Sequence, residues 1–200
     1  LIEVFEKNYN QYNKKDTLNW YTQESFLYKV TNNCLRIATS DSIQYSRLLL
    51  KDIEEAIRQQ YQEKSKDFNG LLYRGAYLSE KEWDSLMENI NQEIEMHGFL
   101  SVSKEKSVSL KFMNTDPSKK VFITIIVPKG PNEEEQGFAE VEEFSKYPDE
   151  KEILFNVRSR FTVLETEDEY SQTLPYRHLV LLYGARGFRK FLTEEDPILE

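Results

Sequence analysis

Val121-Phe-Ile-Thr-Ile-Ile-Val127 is the run that decides the fold. Seven successive β-branched or apolar residues, halted by Pro128, Gly130 and Pro131, have the composition of a strand. Outward from it, shorter runs of the same kind are predicted as strands at Leu71–Gly75, Phe99–Val102, Phe138–Phe144, Glu152–Val157, Phe161–Glu165 and His178–Tyr183. Before the turn signal Asn69-Gly70 the character differs. Residues 1–68 are rich in Asn, Gln, Glu and Lys, and their apolar positions recur at helical spacing, most clearly Ile43, Leu50, Ile53 and Ile57 within Asp41–Gln60. Ser79 with Glu82 forms a capping box that starts another helix, expected to run to about Glu95 with Gly98 just beyond. Ser103 is placed to cap a further helix in which Val108 and Phe112 share a face.

Helices first and strands afterwards, without regular β-α alternation, predict an α+β domain with a mixed, mainly antiparallel sheet. Its parts are a helical lobe over 1–68, a β-rich core over 69–190 and a tail over 191–200, whose acidic end Thr193–Glu200 reads as frayed or as a linker. A chain of 200 residues, 39% hydrophobic and 30% charged, can bury one good core.

Several function classes fall away on composition. The net charge of −9, with no Lys/Arg cluster interleaved with aromatics, argues against DNA or RNA as the primary partner, while leaving a basic protein surface compatible. Cys34 is the single cysteine, so no internal disulfide or cysteine zinc site is expected. With only His97 and His178 besides, no metal is expected either. No apolar run reaches transmembrane length, and the start at Leu1 suggests a domain of a longer chain that carries other domains. The unpaired cysteine tilts localisation toward a reducing, cytoplasmic compartment. Neither Gly-x-Gly-x-x-Gly nor a Walker phosphate loop occurs, so any nucleotide must be held by another device.

Lys146-Tyr-Pro-Asp-Glu-Lys-Glu-Ile-Leu-Phe155 delivers Glu150 and Glu152 from a proline turn into an apolar strand. Two apart on a strand, both would face one volume, the arrangement needed where one carboxylate stabilises a developing cation and another takes a proton. Alone they fit a solvated strand edge better. Arg74, beside Gly75 at the end of a strand, offers a planar fork of donors suited to phosphate, and Gly75 lets a ligand approach the backbone. A surface ion pair explains a lone arginine as well, and a helix cap explains Ser103.

In order, Tyr73-Arg74-Gly75, Phe99-Leu-Ser101-Val-Ser103 and Glu150-Lys-Glu152 resemble the Arg, Ser-x-Ser/Thr, Glu-x-Glu signature of the arginine-specific mono-ADP-ribosyltransferases. The resemblance spans residues 71–165, and Leu100 and Val102 stand where many members have Thr. It implies a two-sheet core with an NAD cleft, NAD as co-substrate, no metal, and a protein substrate with an exposed arginine. By the same resemblance Arg74 would hold the NAD phosphates and adjoining ribose, and Gly75 the nicotinamide carboxamide. Ser101 and Ser103 would support the nicotinamide ribose and Glu152, while Glu152 would stabilise the ribose cation and Glu150 would orient the arginine. Phe112 matches a position that stacks on nicotinamide, although packing into the core with Val108 fits it equally. Tyr147 is the candidate for contact with the protein substrate. Two other functions use the same residues: an NAD glycohydrolase, in which water attacks the ribose cation, and a non-catalytic interaction module.

Overall fold

The computed structural model describes residues 16–23, 26–37, 40–113, 120–129, 137–167 and 176–184. The expected Thr193–Glu200 tail lies outside them, as do Gly130 and Pro131. Three helices, α1 (Asp16–Thr22), α2 (Phe26–Ile37) and α3 (Ser40–Gln60), come first, and a wider turn, Tyr61–Ser65, continues α3. There follow β1 (Gly70–Tyr77), α4 (Glu80–Glu88), β2 (Glu93–Met96), β3 (Leu100–Ser103), α5 (Lys106–Lys111) and β4 (Lys120–Val127). The chain goes on through β5 (Phe138–Glu140), a tight 3-10 turn at Pro148–Glu150, β6 (Glu152–Phe155), β7 (Ser159–Glu167) and β8 (Arg177–Tyr183).

The eight strands form one mixed sheet in the order β2-β7-β8-β4-β1-β3-β6-β5. Among the described residues β4 and β8 pair in parallel and the other named strand pairs are antiparallel. Where two sheets were expected the ladder is continuous, but it is thin at one seam. β1 and β3 share the single register pair Tyr73↔Ser103, whereas β1 and β4 are matched from Gly70↔Val127 to Tyr77↔Lys120. The strands therefore diverge at the end of β1 that carries Arg74, and a cleft opens there.

Alternation of side chains along β6 shows where the core sits. Ile153 and Phe155 join Leu72, Val121, Ile123, Ile125, Phe161, Leu181, Tyr183 and Trp83 in the larger apolar cluster. Leu154 points the other way, against Leu18, Tyr21, Leu50, Ile53, Ala56 and Ile57 of α1 and α3. The helical stripe read from the sequence thus packs on the sheet through Leu50, Ile53 and Ile57. β4 is buried on both faces at most positions, which explains its unbroken apolar run.

Three elements differ from the sequence expectation. The capping box is present, with Ser79 N donating to Glu82 Oε2 at 2.7 Å, but α4 stops at Glu88, and Glu93–Met96 is an edge strand on β7. The apolar residues Ile90 and Ile94 suit either period. The left-handed backbone at Asn91 (φ 63°) and the bond from Asn91 N to Val163 O at 2.7 Å turn the chain onto the sheet edge instead. The strand expected through Phe144 ends at Glu140, because residues 141–145 fold into a turn closed by Phe144 N and Ser145 N on Val141 O, both at 2.9 Å. Ser103 does not cap α5: the residue before that helix is Glu105, and the Ser103 hydroxyl is used elsewhere.

Candidate active site

Arg74, Gly75, Ser101, Ser103, Phe112, Tyr147, Glu150 and Glu152 all border one cleft of about 320 Å³ at the seam between β1 and β3. Register places three of these groups. Ser101 lies opposite Leu154 and Ser103 opposite Glu152, so Ser101, Ser103 and Glu152 present their side chains to one face, the face covered by the helical lobe. There the Ser101 hydroxyl is a hydrogen-bonding neighbour that favours the ionised form of the Glu152 carboxyl. Arg74 Nη1 donates to Ser101 O at 2.5 Å, which links β1 to β3 beside their single register pair.

Both charged groups keep some contact with the cleft, yet protein surrounds them. Desolvation raises the pKa of the Glu152 carboxyl above the ordinary glutamate value. The Ser101 hydrogen bond opposes the rise, the charge of Glu150 adds to it, and Arg74 opposes it. Desolvation lowers the pKa of Arg74, against the favourable fields of Tyr28, Tyr21 and Glu152, and the guanidinium stays charged. The cleft thus holds a carboxylate whose negative charge is costly until a positive partner arrives.

Glu150 reaches the cleft by a different route from the one the sequence suggested. It closes the 3-10 turn that Pro148 begins, and Lys151, at φ 44°, is left-handed between the two glutamates. The two glutamates are therefore not alternate residues of one strand, yet both line the cleft. Ser103 Oγ donates to Glu150 O at 2.7 Å and accepts from Glu105 N at 2.9 Å. Its hydroxyl pins the turn rather than starting a helix.

Gly75 has a packing reason to be glycine. A Cβ there would stand 2.4 Å from Ser109 O and 2.7 Å from Met113 Cγ, so α5 can cross β1 only because that position is bare. Phe112 is 56% exposed and Val108 is half-buried, and both line the cleft. The alternative of a core-facing pair is thereby excluded. Tyr147 is 44% exposed at the cleft's edge, where Lys146 Nζ lies 5.8 Å from its ring.

Sequence reasoning missed the contribution of the helical lobe. Tyr21 and Thr22 of α1 and Tyr28 of α2 line the cleft; Tyr21 packs edge-on to Tyr28 and Phe99 with centroids 5.2 and 5.3 Å apart. Asn32 Nδ2 donates to Tyr21 OH at 3.0 Å, and burial pushes the Tyr21 phenol far up. Asn19 Nδ2 also donates to Phe144 O at 2.6 Å, so α1 steadies the loop that leads to Tyr147 and Glu150. The one available signal was Tyr28 and Asn32 four apart on an amphipathic helix. Tyr73 and Tyr77 of β1 complete the aromatic wall.

A larger groove, about 1110 Å³, runs between α2, α3 and the turn at 95–98. Arg47, Lys51, Glu55 and Arg58 along it are exposed and mixed in sign, whereas the groups shifted by desolvation, Arg74, Glu152 and Tyr21, lie in the smaller cleft. Chemistry is placed where charges are desolvated beside partners. Among the described residues no group of three or more His, Cys, Asp or Glu could hold a metal ion, and no helix is long and apolar enough to cross a membrane.

Residues 5–180 of the chain match a family model described as ADP-ribosyltransferase exoenzyme. The chain belongs to that ADP-ribosyltransferase family. Such enzymes use NAD as co-substrate. Solved structures agree on the fold. The ADP-ribosyltransferase Vis, a toxin from Vibrio splendidus solved in complex with agmatine, has a TM-score of 0.62 at 17% identity, over 86% of this chain and 74% of that one. An ADP-ribosyltransferase toxin from Paenibacillus larvae has a TM-score of 0.63 at 15% identity, over 90% of each chain. An ADP-ribosyltransferase from Clostridium botulinum has a TM-score of 0.60 at 11% identity, over 91% of this chain and 92% of that one. No curated protein sequence matches the chain.

Proposed function

We propose that this ADP-ribosyltransferase transfers ADP-ribose from NAD to the guanidinium of arginine side chains on a partner protein and releases nicotinamide. The observation that carries the reading is the division of the two carboxylates. Glu152 lies on a strand among protein atoms, hydrogen-bonded by Ser101 and near Arg74, while Glu150 stands on a turn at the same cleft. Agmatine, bound in the Vis structure, is itself a guanidine, which favours the same acceptor chemistry here.

Breaking the bond between ribose C1′ and the pyridinium nitrogen sends the electron pair to nicotinamide and leaves the ribose close to an oxocarbenium ion. Glu152 opposes that charge from a fixed, desolvated position, which stabilises the transition state more than the ground state. Arg74 supplies the fork of donors for the phosphates. A cavity of about 320 Å³ is at the small end for ligand sites and suits the nicotinamide ribose half of NAD. The incoming guanidinium is protonated at neutral pH, so a carboxylate must orient it and take its proton as the new C–N bond forms; Glu150 fills that role.

The test is incubation of the protein with NAD and agmatine. Equal amounts of nicotinamide and ADP-ribosylagmatine support transfer. Nicotinamide with free ADP-ribose alone would make the protein a glycohydrolase, and no NAD turnover would reduce it to an interaction module.

A further inference from the structure

We propose that the Glu105–Lys151 ion pair is a positioning device for Glu150, one that sets how much ADP-ribose passes to a guanidine rather than to water. This rests on the reading above that Glu150 handles the acceptor.

Glu150 has no strand to hold it. It ends a single 3-10 turn, and the next residue, Lys151, has φ 44°, a left-handed backbone that a residue with a long side chain keeps only when its surroundings impose it. Three successive residues impose it. Ser103 Oγ donates to Glu150 O at 2.7 Å, Lys104 N donates to Lys151 O at 3.2 Å, and Lys151 Nζ meets Glu105 Oε1 at 2.5 Å. The first two contacts grip the backbone on the strand side. The third alone reaches the turn from beyond the strand.

Glu105 stands immediately before α5, where a carboxylate ordinarily folds back onto the helix amides; here it makes no such bond and extends to Lys151. The helix it precedes is the one that crosses Gly75 and ends at Phe112 on the cleft. The pair therefore couples the wall of the cleft to the turn that carries Glu150. Both side chains are about half exposed, at 47% and 43%, so the pair is worth little as a stabiliser of the fold and acts on the turn that carries Glu150.

The test measures ADP-ribosylagmatine and free ADP-ribose from the same incubation with NAD and agmatine, for wild type, Glu105→Gln, Lys151→Gln and the exchange Glu105→Lys with Lys151→Glu. The single variants are expected to lower the ratio of transfer to hydrolysis about two- to fivefold, the scale of one exposed ion pair, with total NAD consumption unchanged. The exchange is expected to recover most of the ratio, which a loss of packing would not. Wild-type ratios in the single variants, or an exchange no better than either, overturn the proposal. Glu150→Gln run alongside separates two failures. A wild-type ratio in that variant overturns the acceptor reading itself, and with it the proposal. A collapsed ratio there, beside wild-type ratios in the pair variants, overturns only the positioning role.

Discussion

Arg74 Nη1 holds the carbonyl oxygen of Ser101 at 2.5 Å, so the cation of the cleft is tied to the strand whose hydroxyl reaches Glu152. One arm of the guanidinium is spent on the protein, and the side chain also lines the cleft. Lysine cannot divide itself in this way, because its single ammonium is a point charge without a planar fork. Arg74→Lys is expected to raise the KM for NAD about tenfold or more, equivalent to ~1.4 kcal/mol, measured by steady-state release of nicotinamide. An unchanged KM would show that charge alone suffices.

The raised pKa of Glu152 fixes the sign of the pH dependence. Cleavage needs the carboxylate, so activity should fall on acidification with a midpoint above the ordinary glutamate value of about 4.3. Since the charge of Glu150 adds to the rise and the Ser101 hydrogen bond opposes it, Glu150→Gln should move that midpoint down and Ser101→Ala should move it up. The measurement is kcat/KM for NAD hydrolysis against pH in the three proteins; shifts in the opposite directions would remove Glu152 as the titrating group.

Stability should run against activity at the same residue. A carboxyl whose folded pKa is raised contributes fully below its unfolded pKa, and that contribution is lost as pH rises through the folded value. Glu152→Gln keeps the neutral form at every pH. It should therefore melt higher than wild type at neutral pH, by about 2–4 °C for each kcal/mol relieved, with the difference closing as pH falls toward about 4.3. A variant that melts lower at neutral pH would mean that the ionised carboxylate helps the fold.

Much of this architecture is legible in the sequence, and the exceptions share a cause. β4 and β8 are runs whose own composition demands burial, and the stripe Leu50, Ile53, Ile57 demands a surface to cover. β2 has no such demand: Glu93-Ile-Glu-Met96 is a strand because β7 offers an unpaired edge. The same holds at the site. Arg74, Ser101 and Glu152 sit on strands, where spacing translates directly into direction. Glu150 depends on a left-handed lysine, and Ser103 on a carbonyl 47 residues away, neither of which any local pattern announces. Tyr21 and Tyr28 enter through the packing of a helical lobe that carries no motif.

Gly75 tests the packing of that cleft wall. In Gly75→Ala the new methyl would meet a backbone oxygen, Ser109 O, at 2.4 Å, and a backbone cannot step aside as a side chain can. Displacement of α5 should cost about 1–3 kcal/mol, read as a lower urea midpoint, and should weaken NAD binding by moving Phe112. An unchanged midpoint would show that α5 floats over β1.

The proposed division of labour gives cleavage of NAD to Glu152 and the acceptor to Glu150. The ratio of ADP-ribosylagmatine to free ADP-ribose formed by Glu150→Gln tests it most directly, with Glu152→Gln as the blank in which turnover should fall roughly two to three orders of magnitude. Glu150→Gln is expected to go on releasing nicotinamide while the ratio collapses. Transfer to agmatine at the wild-type ratio would contradict it.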